Sequence, residues 1–89
     1  MHKELDYHWA SAENGLHQRL NELQLNSELQ IKSREIGADR EQFFLACNGL
    51  DYLLFIEHIS ESAWIELIAA KDLEKLQFFY TLLCCEQSE

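Results

Sequence analysis

The stretch Phe43-Phe44-Leu45-Ala46-Cys47-Asn48-Gly49-Leu50-Asp51-Tyr52-Leu53-Leu54-Phe55-Ile56 decides the fold, and it reads in two ways. Asn-Gly between two apolar runs is the strongest short-range signal for a hairpin. Yet Phe43, Cys47, Leu50 and Leu54 recur at steps of four, three and four, the spacing of one face of an α-helix. Ala46 and Leu53 widen that stripe. Neither flank alternates cleanly between apolar and polar, because Phe44, Leu45, Tyr52, Phe55 and Ile56 occupy other positions. A helix apolar nearly all round is a buried one. Asp39, with Gln42 three residues on, has the form of an N-cap and capping box. The spacing therefore predicts a buried helix over 40–58. The alternative is an α+β fold with a hairpin at Asn48-Gly49.

The same test extends in both directions. Ala12-Glu13-Asn14-Gly15-Leu16 carries a second Asn-Gly, and Leu5, Trp9, Ala12, Leu16, Leu20 and Leu23 keep helical phase straight through it. That predicts one helix over 4–25, whose interior glycine costs about 1 kcal/mol relative to alanine. Ser27-Glu28-Leu29-Gln30 has capping-box form and predicts a short helix over 28–36, although the alternation of Leu29 and Ile31 also suits a strand. Ser60 or Ser62 caps a further helix over 62–71. The stripe Ile65, Ile68, Leu76, Phe79, Leu83 is interrupted by Asp72. An unpaired carboxylate inside an apolar stripe is costly, so Asp72 is read as a new N-cap opening a helix over 72–86. The chain contains no proline, which suits helices, since proline breaks their interiors. The expectation is a single all-α domain over 1–89, a small bundle of three to five helices.

Composition narrows the function classes. The 89 residues include 16 acidic and 7 basic side chains, for a net charge of −9. Such a balance disfavours nucleic-acid binding, which needs Lys and Arg to neutralise phosphates, and disfavours anionic lipid. It favours a basic partner. The start of the chain, Met1-His2-Lys3-Glu4-Leu5, has no apolar leader, and no run is long enough to span a membrane. Cys47, Cys84 and Cys85 are an odd set that does not make a disulfide framework, so a cytoplasmic setting is expected.

Motifs for chemistry are missing. His2, His8, His17 and His58 include no His-x-x-x-His pair and no Glu-x-x-His, and the cysteines form no Cys-x-x-Cys. No metal, cofactor or catalytic residue is assigned. Glu4/His8 and Glu13/His17, spaced i,i+4, read as surface pairs on a helix. Trp9 and Trp64 lie on inner stripes and read as core. Residues 43–70 hold Asp51, Glu57, Glu61 and Glu66 but no Lys or Arg, together with the densest apolar content. An apolar patch ringed by carboxylates is how a protein-binding face looks. Phe44, Asp51, Tyr52, Phe55, Ile56 and Glu57 are the candidate residues. The leading expectation is a small acidic helical interaction module without catalysis: an adaptor, inhibitor, immunity-type factor or small chaperone. Its partner is another protein, a basic one or a second copy of the chain. The alternatives are an acidic nucleic-acid mimic that fills a basic groove, and a small thiol redox protein using Cys84-Cys85.

Overall fold

In a computed structural model that describes residues 2–68 and 72–84, the deciding stretch is a β-hairpin. Strand β3 (Arg40–Cys47) and strand β4 (Leu50–Glu57) pair antiparallel through eight residues each, from Arg40↔Glu57 to Cys47↔Leu50. Asn48 and Gly49 are the two loop residues, with φ of 54° and 80°. Positive φ at both central positions is what a two-residue turn needs to match the twist of the strands.

The helix expected over 40–58 is thus corrected, and the reason is geometric. Steps of four preserve strand parity, so Phe43 with Cys47, and Leu50 with Leu54, stay on one face of a strand. The remaining step of three, from Cys47 to Leu50, spans the two-residue turn and joins cross-strand partners, which also face one side. The stripe is common to both conformations and does not distinguish them.

Among the described residues, five strands form one antiparallel sheet in the order β1-β5-β4-β3-β2. Strand β1 is His2–Leu5, β2 is Gln30–Ile36 and β5 is Ser62–Leu67. Three helices, α1 (Tyr7–Ser11), α2 (Leu16–Leu25) and α3 (Leu73–Cys84), pack on one face. The architecture is α+β, and the all-α bundle is overturned by it. The helices expected over 28–36 and 62–71 are β2 and β5, with positions 69–71 outside the described residues. In β5 the propensity for a short helix lost to a buried face of Ala63, Ile65 and Leu67 that only a period of two can present, and in β2 to the ladder along β3.

The helix expected over 4–25 is β1 followed by two helices, and Asn14-Gly15 marks the break between α1 and α2. A Cβ on Gly15 would stand 1.7 Å from the carbonyl oxygen of Trp9, so only glycine lets the two segments approach. Helix α2 closes in a Schellman arrangement, with Ser27 at φ 62°, Ser27 N–H donating to Gln24 and Glu28 N–H to Leu23. The capping-box reading of Ser27 therefore fell on a helix end. Asp72 does cap α3: its carboxylate accepts from the Lys75 N–H at 3.2 Å. The helix expected over 72–86 is α3, Leu73–Cys84, and positions 85–86 lie outside the described residues.

The core lies between the sheet and the helices. Phe43, Leu45, Cys47, Tyr52, Leu54, Ile56, Ala63, Ile65 and Leu67 point inward from the central strands. They meet Leu16, Leu20 and Leu23 of α2 and Leu76, Phe79 and Leu83 of α3. Tyr52 stacks on Phe79 with centroids 4.0 Å apart. Arg19 ties the helices together by donating from Nε and Nη2 to the Leu82 carbonyl, at 3.2 and 2.9 Å.

Candidate protein-binding face

All three helices cover one side of the sheet, and the other side has no layer over it among the described residues. Side chains of opposite parity to the core emerge there, mostly half-buried on β3, β4 and β5 and exposed on the edge strands β1 and β2. The register sets them out in rows across all five strands. One row runs Glu4, Trp64, Phe55, Gln42, Glu35 and the next His2, Glu66, Leu53, Phe44, Ser33. Phe55 and Trp64 stack, 5.0 Å between centroids at 24°. Trp64, Phe55, Leu53 and Phe44 therefore form a contiguous apolar centre, with polar groups around it.

Charge on this face is organised. Lys32, at the bulge in β2, lies 5.0 Å from the Phe44 centroid and 3.3 Å from the Asp51 carboxylate. Arg40 lies 5.7 Å from the Phe55 centroid and donates from Nε to Glu57 at 3.0 Å, with Nη2 on the same oxygen. Hydrogen bonding from Arg40 holds the Glu57 carboxyl below its ordinary pKa; a little desolvation opposes this, and the Arg40 charge and Ser60 add to it. The Trp64 indole N–H donates to Glu66 at 2.9 Å, which fixes the ring on the sheet. Among the described residues no cation pairs with Glu4, Glu35 or Glu66.

Of the residues that the sequence singles out, Phe44, Asp51, Phe55 and Glu57 come together on this open face. Tyr52 and Ile56 do not: they are 2% and 0% exposed and lie beneath the helices. Leu53, Trp64, Glu66, Glu4 and Glu35 belong to the face and are not picked out by helical spacing. The signal that finds them is parity, for Asp51, Leu53, Phe55 and Glu57 are every second residue of one strand. Trp64, read as core from its stripe, is half-exposed, whereas Trp9 packs against the core edge.

A second constellation sits on the helical side. Glu41, with 12% of its side chain exposed, receives two imidazoles: Nε2 of His17 at 2.7 Å and Nε2 of His58 at 2.8 Å. Nδ1 of His58 meets the Tyr7 hydroxyl at 2.8 Å. The chain of contacts joins α1, α2, β3 and the β4–β5 turn, and it fixes one end of the sandwich. His17 thus pairs across the fold and not with Glu13, and Glu4 lies on β1, not on a helix with His8. Sequence separations of 51, 24 and 17 hide this cluster from spacing rules. Among the described residues no group of three or more His, Cys, Asp or Glu is arranged to hold a metal ion.

Cys47 is buried, donates to the Glu28 carbonyl at 3.3 Å, and burial first, then the Glu28 charge, pushes its pKa up. Cys84 is half-buried at the end of α3, and Cys85 lies outside the described residues. Helix α3 also exposes Leu73 and Phe78, at 65% and 53%, along a shallow groove with Lys3, Gln77 and Thr81. Among the described residues no helix is long and apolar enough to cross a membrane.

Residues 11–84 match the model of a family described as Protein of unknown function (DUF3630), and the chain belongs to that family. The match runs through α2, β2 to β5 and α3. No curated protein and no solved structure matches the chain.

Proposed function

We propose that this protein is a non-catalytic interaction module that binds another protein through the open face of its sheet. The observation that carries the reading is the contiguous apolar centre of Trp64, Phe55, Leu53 and Phe44 on the side the helices leave bare. An apolar centre with a polar rim is the anatomy of a protein interface, and large aromatic anchors are the residues that dominate binding energy. The acidic nucleic-acid mimic has less support, since Lys32 and Arg40 interleave with Asp51 and Glu57 on this face. The thiol reading rests on Cys84-Cys85, of which Cys85 lies outside the described residues, and the buried Cys47, whose pKa is raised, adds no support to it. The odd cysteine count supports a cytoplasmic place of work.

The test is a photo-crosslinking amino acid placed at Leu53 in cells, with Asn21 on α2 as the control position. Specific protein adducts are expected from position 53 and not from position 21. No adduct at 53, or equal labelling from both, overturns the reading.

A further inference from the structure

We infer that the open face takes a basic amphipathic segment of another protein, one that lays apolar side chains on Trp64, Phe55, Leu53 and Phe44 and directs a Lys or Arg to each end of the row from Glu4 to Glu35. This rests on the reading that the face docks a protein. What it adds is the chemistry of the occupant.

Negative charge is left over on this face. Glu4, Glu35, Asp51, Glu57 and Glu66 emerge on this face against Lys32 and Arg40. Both cations are already spent, Lys32 on Asp51 and Arg40 on Glu57. Glu66 accepts from the Trp64 indole, beside the apolar centre of the patch. Glu4 and Glu35 stand on the two edge strands in one row with the aromatic pair between them. Four strand spacings separate them, roughly 19 Å.

A second copy of the chain would bring the same carboxylates and another net charge of −9. Nucleic acid would bring phosphates. Both meet like charge, which costs affinity across an interface and slows encounter. A cationic segment meets the opposite condition, and its docking is steered by the field of the whole molecule.

Trp64 supplies the readout. In a Trp9→Phe background it is the remaining one of the 2 tryptophans. The probes are a Leu/Lys amphipathic helical peptide of roughly 14 residues, long enough at 1.5 Å per residue to span the row, and its Leu/Glu counterpart. Two variants carry the same charge change. One combines Glu4→Gln, Glu35→Gln and Glu66→Gln on the face; the other combines Glu13→Gln, Glu28→Gln and Glu74→Gln on the helical side and its loops. These are solvent-facing changes, and circular dichroism confirms that both variants are folded.

The Leu/Lys peptide is expected to shift Trp64 emission and to lose affinity by at least about tenfold in the face variant but under about threefold in the control. The Leu/Glu peptide is expected to give no shift. Equal loss in both variants means attraction to net charge alone and overturns the inference. So do equal binding of both peptides, no shift with either, and sedimentation of the chain as a dimer through this face. The first three results do not bear on whether position 53 crosslinks a protein in cells, and a dimer would show there as adducts of the chain with itself, so a failure of this inference is distinguishable from a failure of the docking reading.

Discussion

Leu53 and Leu54 are bonded neighbours that end on opposite sides of the sheet: Leu54 is fully buried under the helices, and Leu53 pairs with Phe44 on the bare face. The same side chain at adjacent positions thus has two energetic roles. Leu54→Ala should cost about 2–5 kcal/mol, through lost burial and the cavity left behind. Leu53→Ala should cost under about 1 kcal/mol. Urea denaturation followed by far-UV circular dichroism measures both. Similar costs would return the pair to one apolar stripe of a helix.

Turn chemistry separates the glycines. At Gly49 an added Cβ meets nothing within 4 Å, so the penalty of Gly49→Ala is conformational, about 1–2 kcal/mol for a left-handed φ. At Gly15 the added Cβ meets backbone, the Trp9 carbonyl. Gly15→Ala should therefore be the more destabilising change, and Asn48→Gly, which keeps positive φ accessible, nearly neutral. The order of denaturation midpoints checks this.

The Tyr7–His58–Glu41–His17 chain should act as a structural latch. Glu41→Ala leaves two ring nitrogens without their acceptor in a partly buried setting and should cost about 1–3 kcal/mol. Tyr7→Phe removes one neutral hydrogen bond and should cost about 1 kcal/mol. A double-mutant cycle between His17→Ala and Glu41→Ala should show coupling; strict additivity would mean that the contact contributes nothing.

Alkaline pH should weaken the fold. Cys47 and Tyr52 both hold their protons above the ordinary values of 9.0 and 10.0, mainly through burial. Below about pH 9 the folded and unfolded chains are protonated alike at both groups. Above it the unfolded chain releases protons first, so unfolding free energy falls as pH rises. Tyr52→Phe should remove the part of that loss that begins near pH 10. Native Cys47 should also react with iodoacetamide at pH 8 at least about tenfold more slowly than in the unfolded chain, read by mass spectrometry.

Much of the helical layer was legible. Leu16, Leu20 and Leu23 form the buried stripe of α2 that their spacing announces, and Asp72 caps α3 as its interruption of the stripe implied. The sheet was not, for a specific reason. A half-buried strand advertises itself by alternating with polar residues, but the open face carries Phe44, Leu53, Phe55 and Trp64, which erase the alternation. The feature that makes this face a binding candidate is the one that concealed the strands. Asn48-Gly49 named the hairpin directly, and local turn chemistry proved more discriminating there than periodicity. The Glu41 cluster had no local signature, because its members meet only through the tertiary fold.

The position of β1 has a kinetic consequence. Strands β2 to β5 each pair with the strand next to them in sequence, whereas β1 pairs with β5, the last of the five described strands. Zipping along neighbours closes short loops, but seating β1 closes a long one, whose entropy must be met by surface that is already assembled. Of these five strands, the first to be synthesised is therefore the last that can find its ladder. Until residue 67 has emerged, the outer edge of β5 does not exist for it to join.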